Sequence, residues 1–324
     1  MWRWAGRIAA GLVVLLLVAA IAGAVSQSVS SRRDLAATPP PGRLVDVGGH
    51  RLHIWCMGSG EPVVVFESGL GGTSFGSYDE MVEVSRFTRV CAYDRAGMGY
   101  SEPGPRPRTS RRIASELSEL LVRSGIDHPV VLVGTSFGGY SVRVFASERE
   151  DRVAGLVLVD ASHEDQRARY ASVGAPSAIP PYAWLVPPAA WLGVLRLLGV
   201  TLGASPDSAP EPVRRFVRAT AYRTSRYTAG YDELKHTSAS AEEVRATRRV
   251  LNVPVVVVTG GVRSGRTAAV HAELQRDQLR LSRRSCQIIA ERSGHDVGEV
   301  DVIVRAIRTV IDASQGETTK LTCR

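Results

Sequence analysis

Pro129-Val130-Val131-Leu132-Val133-Gly134-Thr135-Ser136-Phe137-Gly138-Gly139 is the stretch on which the reading of this chain turns. Its first five residues are continuously apolar, the mark of a strand buried on both faces. Gly134-Thr135-Ser136-Phe137-Gly138 then fits the pattern G-x-S-x-G, and Ser136 to Glu148 carries apolar residues at helical spacing. A strand, a tight turn and a helix put Ser136 at the apex. So tight a turn holds the serine in a strained backbone conformation, and the residues two before and two after it must lack bulk. The hydroxyl then projects beyond the sheet at a helix N-terminus, where the Phe137 amide can meet a developing negative charge. A glycine-rich turn without chemistry is the plain alternative, and the strand before and helix after argue against it.

Similar apolar runs flank this one. Pro62–Glu67, Arg89–Tyr93, Leu156–Val159, Val255–Val258 and Gln287–Ala290 read as buried strands. Leu44–Val47 and Arg51–Trp55 read as a hairpin about Gly48-Gly49. Helical patterns lie between the runs, at Ser110–Ser124 and at Glu299–Asp312 with Val300, Ile303, Val304, Ile307 and Ile311. Alternating strands and helices predict an α/β fold, a mainly parallel doubly wound sheet covered on both faces. Residues 163–250 break the rhythm with helices and Pro-rich turns. Within them, Ile179–Gly203 is notably apolar and predicts an inserted cap; its plain alternative is packing against the main domain.

A serine hydroxyl is a weak nucleophile and needs a base. Of the seven histidines, His295 follows the last expected strand in Arg292-Ser293-Gly294-His295-Asp296, just before the final helix. In a doubly wound sheet that loop shares a rim with the Ser136 turn. His50, His53, His128, His236 and His271 are read as surface or satisfied histidines.

Glu67-Ser68-Gly69-Leu70-Gly71-Gly72, Tyr93-Asp94-Arg95-Ala96-Gly97-Met98-Gly99-Tyr100-Ser101, the Ser136 turn and Ser293-Gly294-His295 occur in that order. Together they resemble the α/β-hydrolase superfamily over about residues 43–313, nearest its haloalkane-dehalogenase-like and epoxide-hydrolase-like branch. The resemblance implies a core from 43–162 and 251–324, a helical cap at 163–250, and a second oxyanion amide at Leu70. It makes Asp94 and Arg95 a structural turn. Most members carry the acid after the seventh strand, but Thr259-Gly260-Gly261-Val262-Arg263-Ser264-Gly265 holds no carboxylate. Some relatives carry it after the sixth strand, where Leu158-Val159-Asp160-Ala161 fits, with Glu164 and Asp165 as fallbacks. Asp160 as a plain turn residue is the alternative. Dehalogenases and epoxide hydrolases of this branch use an aspartate nucleophile, so Ser136 points instead to acyl transfer on a carboxylic ester. Acyltransferase or amidase chemistry uses the same residues, and a non-catalytic binding protein on this fold is the reading from another class.

Arg3 and Arg7 precede an uncharged run, Ile8–Val25, with Ala22-Gly23-Ala24 as a small-residue site. Residues 1–25 therefore read as a cleaved signal peptide or an uncleaved anchor, with the anchor preferred. Either places the body outside the cytoplasm, with the membrane as a partner through this segment and through an apolar cap. Residues 26–42, ending Thr38-Pro39-Pro40-Pro41-Gly42, read as an extended linker. Four cysteines fit export, and their positions suggest Cys56–Cys91 and Cys286–Cys323 pairs, against four buried thiols. The net charge of +8 is nearly all arginine spread along the chain, since only Lys235 and Lys320 are lysines. That argues against a nucleic-acid partner. No metal cluster, P-loop or dinucleotide fingerprint is evident, so no cofactor is expected. A small-molecule ester or acyl substrate is expected; the oligomeric state is not legible.

Overall fold

In the computed structural model, which describes residues 2–175, 179–201, 209–316, 321 and 323, the apolar runs join one eight-stranded sheet. The strands are β1 (Arg43–Asp46), β2 (Arg51–Met57), β3 (Val64–Glu67), β4 (Val90–Tyr93), β5 (Val130–Thr135), β6 (Val153–Val159), β7 (Val255–Gly260) and β8 (Ser285–Ala290). They lie in the order β1-β2-β4-β3-β5-β6-β7-β8. The β1/β2 and β2/β4 pairs are antiparallel and the rest parallel. The opening hairpin turns on Gly48 and Gly49, both at φ +101°, whose amides donate to Asp46 Oδ1. Only glycine adopts that geometry without strain.

The first helix is α1 (Trp2–Ala37), followed by α2 (Tyr78–Val84), α3 (Ser110–Arg123) and α4 (Gly138–Glu148). Between β6 and β7 come α5 (Gln166–Ser172), α6 (Val186–Trp191), α7 (Val194–Leu197), α8 (Glu211–Thr220), α9 (Thr224–Lys235) and α10 (Thr237–Thr247). The last are α11 (Ala268–Asp277) and α12 (Val300–Gln315). Strand side chains alternate between two cores. Val131, Val157 and Val256 meet Met81 of α2 and Ile303, Ile307 and Val310 of α12. Val130, Leu132 and Leu156 meet Ile113 and Leu117 of α3, Val142 and Phe145 of α4, and Val244 of α10.

Two expectations change. The stretch from residue 26, read as an extended linker, is helical to Ala37, because no proline intervenes before Pro39 and Gln27 is buried against the body. The expected cap ran to residue 250, yet α10 buries Ala241 and Val244 in the same core as α3 and α4 and so belongs to the layer on the sheet. Cys56 is bonded to Cys91, its direct neighbour across β2 and β4, and Cys286 to Cys323. Among the described residues, α1 is the helix long and apolar enough to cross a membrane.

Candidate active site

The turn between β5 and α4 holds Ser136 at φ +50°, a left-handed conformation unusual for a side-chain-bearing residue. Glycine makes it possible. A methyl group on Gly138 would strike the backbone oxygens of Glu67 and Ser68, and one on Gly139 would strike Ala161. The Ser136 carbonyl accepts from the amides of Gly139 (3.0 Å) and Ser162 (2.9 Å). Because a trans peptide points its C=O and N–H in opposite directions, the Phe137 N–H faces away from that side.

His295 sits half-exposed in the loop between β8 and α12, and its Nε2 lies 2.9 Å from Ser136 Oγ. The loop reaches this position because it packs on Gly260 at the end of β7, where a methyl group would strike the Gly294 carbonyl. His295 Nδ1 is 2.6 Å from Asp160 Oδ2. Asp160 follows β6 directly, is buried, and is itself left-handed at φ +40°. An ionised Asp160 accepts from Nδ1–H, which leaves Nε2 free to accept from the serine hydroxyl.

Opposite this group lies the loop after β3. Gly69 passes so close that a methyl group there would be 3.4 Å from Ser136 Cβ. Arg95 holds the loop: Nη1 donates to the Ser68 carbonyl (2.6 Å) and Nη2 to the Gly69 carbonyl (2.7 Å). With the Gly69 carbonyl drawn to Arg95, the Leu70 N–H points away from it. Glu233 of α9 accepts from Arg95 Nε (2.7 Å) and from the Gly71 amide (3.1 Å). Glu67 also pairs with Arg95 and accepts from the Tyr93 hydroxyl.

A family model described as the alpha/beta hydrolase fold matches residues 62–180. Solved structures agree over most of the chain. An enol-lactonase of Burkholderia xenovorans LB400 superposes with a TM-score of 0.59 at 17% identity, covering 83% of this chain and 100% of that one. A thermophilic esterase of Thermogutta terrifontis superposes with a TM-score of 0.57 at 20% identity, covering 86% and 100%. The chain has the α/β-hydrolase fold. Among curated sequences, a 2-hydroxy-6-oxo-2,4-heptadienoate hydrolase of Pseudomonas putida is 37% identical over 37% of this chain and 44% of its own length. The chain spans only 18%, 60% and 21% of the first three curated relatives it matches.

The loop after β7, which holds no carboxylate, supplies a cation to this site. Arg263 Nη2 donates to Asp160 Oδ2 and lies 3.2 Å from His295 Nδ1. Nδ1–H and the guanidinium are both donors, so they share one carboxylate oxygen. The other oxygen, Oδ1, accepts from the Gly260 amide (3.1 Å) and from His271 Nε2 (2.8 Å). His271 is buried on α11, and its Nδ1 is 2.9 Å from the Tyr170 hydroxyl of α5. Burial alone would raise the Asp160 pKa. The hydrogen bonds from His271 and His295 and the charge of Arg263 outweigh it, holding this carboxyl well below the usual carboxylate range.

His271 had read as an unremarkable histidine, and only the contact across the fold singles it out. Glu164 pairs instead with Arg143 (2.8 Å) and Arg248 (2.7 Å), and Asp165 with Arg245 (2.6 Å). A mostly apolar cavity of about 690 Å3 is walled by Leu70 and Gly71 on the core side and by Tyr182, Val186 and Tyr231 from the segment between β6 and β7.

Proposed function

We propose that this chain is a membrane-anchored serine hydrolase that cleaves carboxylic esters outside the cytoplasm. The observation that carries the reading is the line Ser136 Oγ, His295 Nε2 (2.9 Å), His295 Nδ1, Asp160 Oδ2 (2.6 Å), with the serine held at a positive φ. Ser136 Oγ attacks the ester carbonyl carbon while its proton passes to His295 Nε2, and the carbonyl electrons move onto oxygen. The amides of Phe137 and Leu70 receive that oxyanion. Its collapse breaks the C–O bond, and the departing alcohol takes the proton from His295. Water then attacks the acyl-serine by the same steps and releases the carboxylic acid.

Asp160, kept ionised, fixes the His295 tautomer and stabilises the imidazolium. A serine at this position forms an acyl ester, which supports acyl rather than alkyl transfer. The segment from about 163 to the start of α10 serves as the cap, and Glu233 ties it to the loop bearing Leu70. Retention of α1 as an anchor is supported by its continuity to Ala37 and by its apolar run of hydropathy 2.8. The two disulfides support an oxidising compartment.

The decisive test is labelling of the full chain in detergent by a fluorophosphonate probe, beside Ser136→Ala and His295→Ala. Labelling of wild type and its loss in both variants is the expected result. A folded wild type that stays unlabelled, after the cap has been opened by lipid or detergent, would sink the hydrolase and favour a binding protein.

A further inference from the structure

The end of the apolar run in α1 is also the place where α1 meets the cap. Ile8–Val25 is uncharged over 18 residues, a length of about 27 Å as helix, close to the roughly 30 Å of a bilayer's hydrocarbon core. Its large apolar side chains are all exposed. From Gly23 onward the helix is seated on the protein. A methyl group on Gly23 would strike the Leu192 carbonyl, and one on Gly193 would come within 3.2 Å of the Gly23 carbonyl. Small residues permit this close approach of backbone to backbone.

One turn on, polar contacts lock the seat. Gln27 is 3% exposed; its side chain donates to the Tyr222 carbonyl and to Ser31 Oγ (3.0 Å), and accepts from Arg196 Nε (2.9 Å). Arg196 also pairs with Asp34 at 2.8 Å and lies over the Tyr222 ring. The cap is therefore fixed to α1 at one height, the level at which α1 changes from apolar to polar.

Large exposed apolar side chains flank that contact along the chain of the cap. Trp191 adjoins Leu192, which touches Gly23, and it is 57% exposed. Leu197 at the end of α7 is 85% exposed, Leu198 just after it 65%, and Trp184 just before α6 59%. Isolated exposed apolar residues are ordinary, but two tryptophans and a leucine pair exposed between positions 184 and 198, in the segment that meets the end of an apolar helix, are not. Tryptophan favours the headgroup level of a membrane. Tyr182 and Val186, from the same part of the cap, wall the cavity that reaches Leu70.

We infer that the cap face bearing Trp184, Trp191, Leu197 and Leu198 rests in the outer boundary of the bilayer that α1 crosses, and that the cavity beneath it takes long-chain acyl esters directly from the lipid phase. The inference rests on the anchored serine hydrolase proposed above and names its substrate class. Seating the face in lipid removes its apolar area from water, and a membrane-dissolved ester reaches Ser136 without crossing the aqueous phase.

The full chain reconstituted in phosphatidylcholine vesicles tests both halves. With brominated acyl chains, the fluorescence removed by Trp184→Phe/Trp191→Phe is expected to be a strongly quenched component. Trp191→Glu/Leu197→Glu, neither of which lines the cavity, is expected to lower hydrolysis of a bilayer-dissolved palmitoyl ester about tenfold or more. The same variant should leave turnover of a water-soluble acetyl ester within about twofold. Unquenched tryptophans would overturn the docking. So would a loss of self-association in the Glu variant without change in quenching, which would assign the face to a second copy of the chain. An equal fall, or no fall, on both esters would overturn delivery from lipid. Quenching with no fluorophosphonate labelling of Ser136 would instead overturn the hydrolase reading and leave the docking standing.

Discussion

On one side of Ser136 a buried carboxylate is surrounded by donors; on the other a buried guanidinium is surrounded by acceptors. Asp160 receives His295, His271, Arg263 and the Gly260 amide. Arg95 gives to Glu67, Glu233 and the carbonyls of Ser68 and Gly69. Both centres are nearly inaccessible to water, and both border the proposed site. They differ in what they hold. In the proposed mechanism Asp160 orients a side chain that must change charge, so its own charge counts in each cycle. Arg95 orients backbone that must stay still, so its charge matters through rigidity. Burial pushes the Glu67 carboxyl up and the Arg95 charge pulls it back, which makes that cluster a matter of mutual neutralisation.

The largest effect that separates the two is expected from Asp160→Asn. It should lower kcat by about 10^4, because the wrong His295 tautomer is then favoured. Turnover near wild type in that variant would move the orienting role to another acid and end the symmetry. Arg95→Met should act chiefly on stability: a loss of about 3–5 kcal/mol by denaturant titration, from two buried carboxylates left without their cation. Its kcat should fall by about 10^2, as removal of an oxyanion donor does. Adding Glu67→Gln and Glu233→Gln is expected to restore stability without restoring rate. If rate returns as well, the guanidinium was not positioning the loop.

Smaller effects sharpen the picture on the Asp160 side. His271→Phe removes one charge-assisted hydrogen bond and should cost about tenfold in kcat while the protein stays folded. Arg263→Gln removes the second donor on Asp160 Oδ2 and should lower kcat on a soluble ester by less than about tenfold. A loss as large as that of Asp160→Asn would contradict the shared-oxygen arrangement.

The order of strands and helices and the place of Ser136 were legible because they depend on local periodicity and on glycines whose freedom is a property of the residue. Gly134, Gly138 and Gly139 announce a turn wherever they occur. The loop bearing His295 was legible for a related reason, since every loop after a parallel strand in such a sheet ends on one rim. The cap was legible only as an interruption. Its limit at α10 depends on Ala241 and Val244 meeting the core of α3 and α4, which no local pattern carries.

Sequence alone placed the proposed nucleophile and base, the parallel sheet, the apolar first helix and the two cysteine pairs, because each is written in residue types at short range. Tertiary structure alone decided that His271 and Arg263 close on Asp160, that Arg95 and Glu233 clamp the loop of Leu70, and that α1 runs unbroken to the cap. Those contacts join residues 26 to 195 positions apart. Their existence depends on how the strands are ordered and how close glycine lets two backbones approach, which is a property of the folded chain.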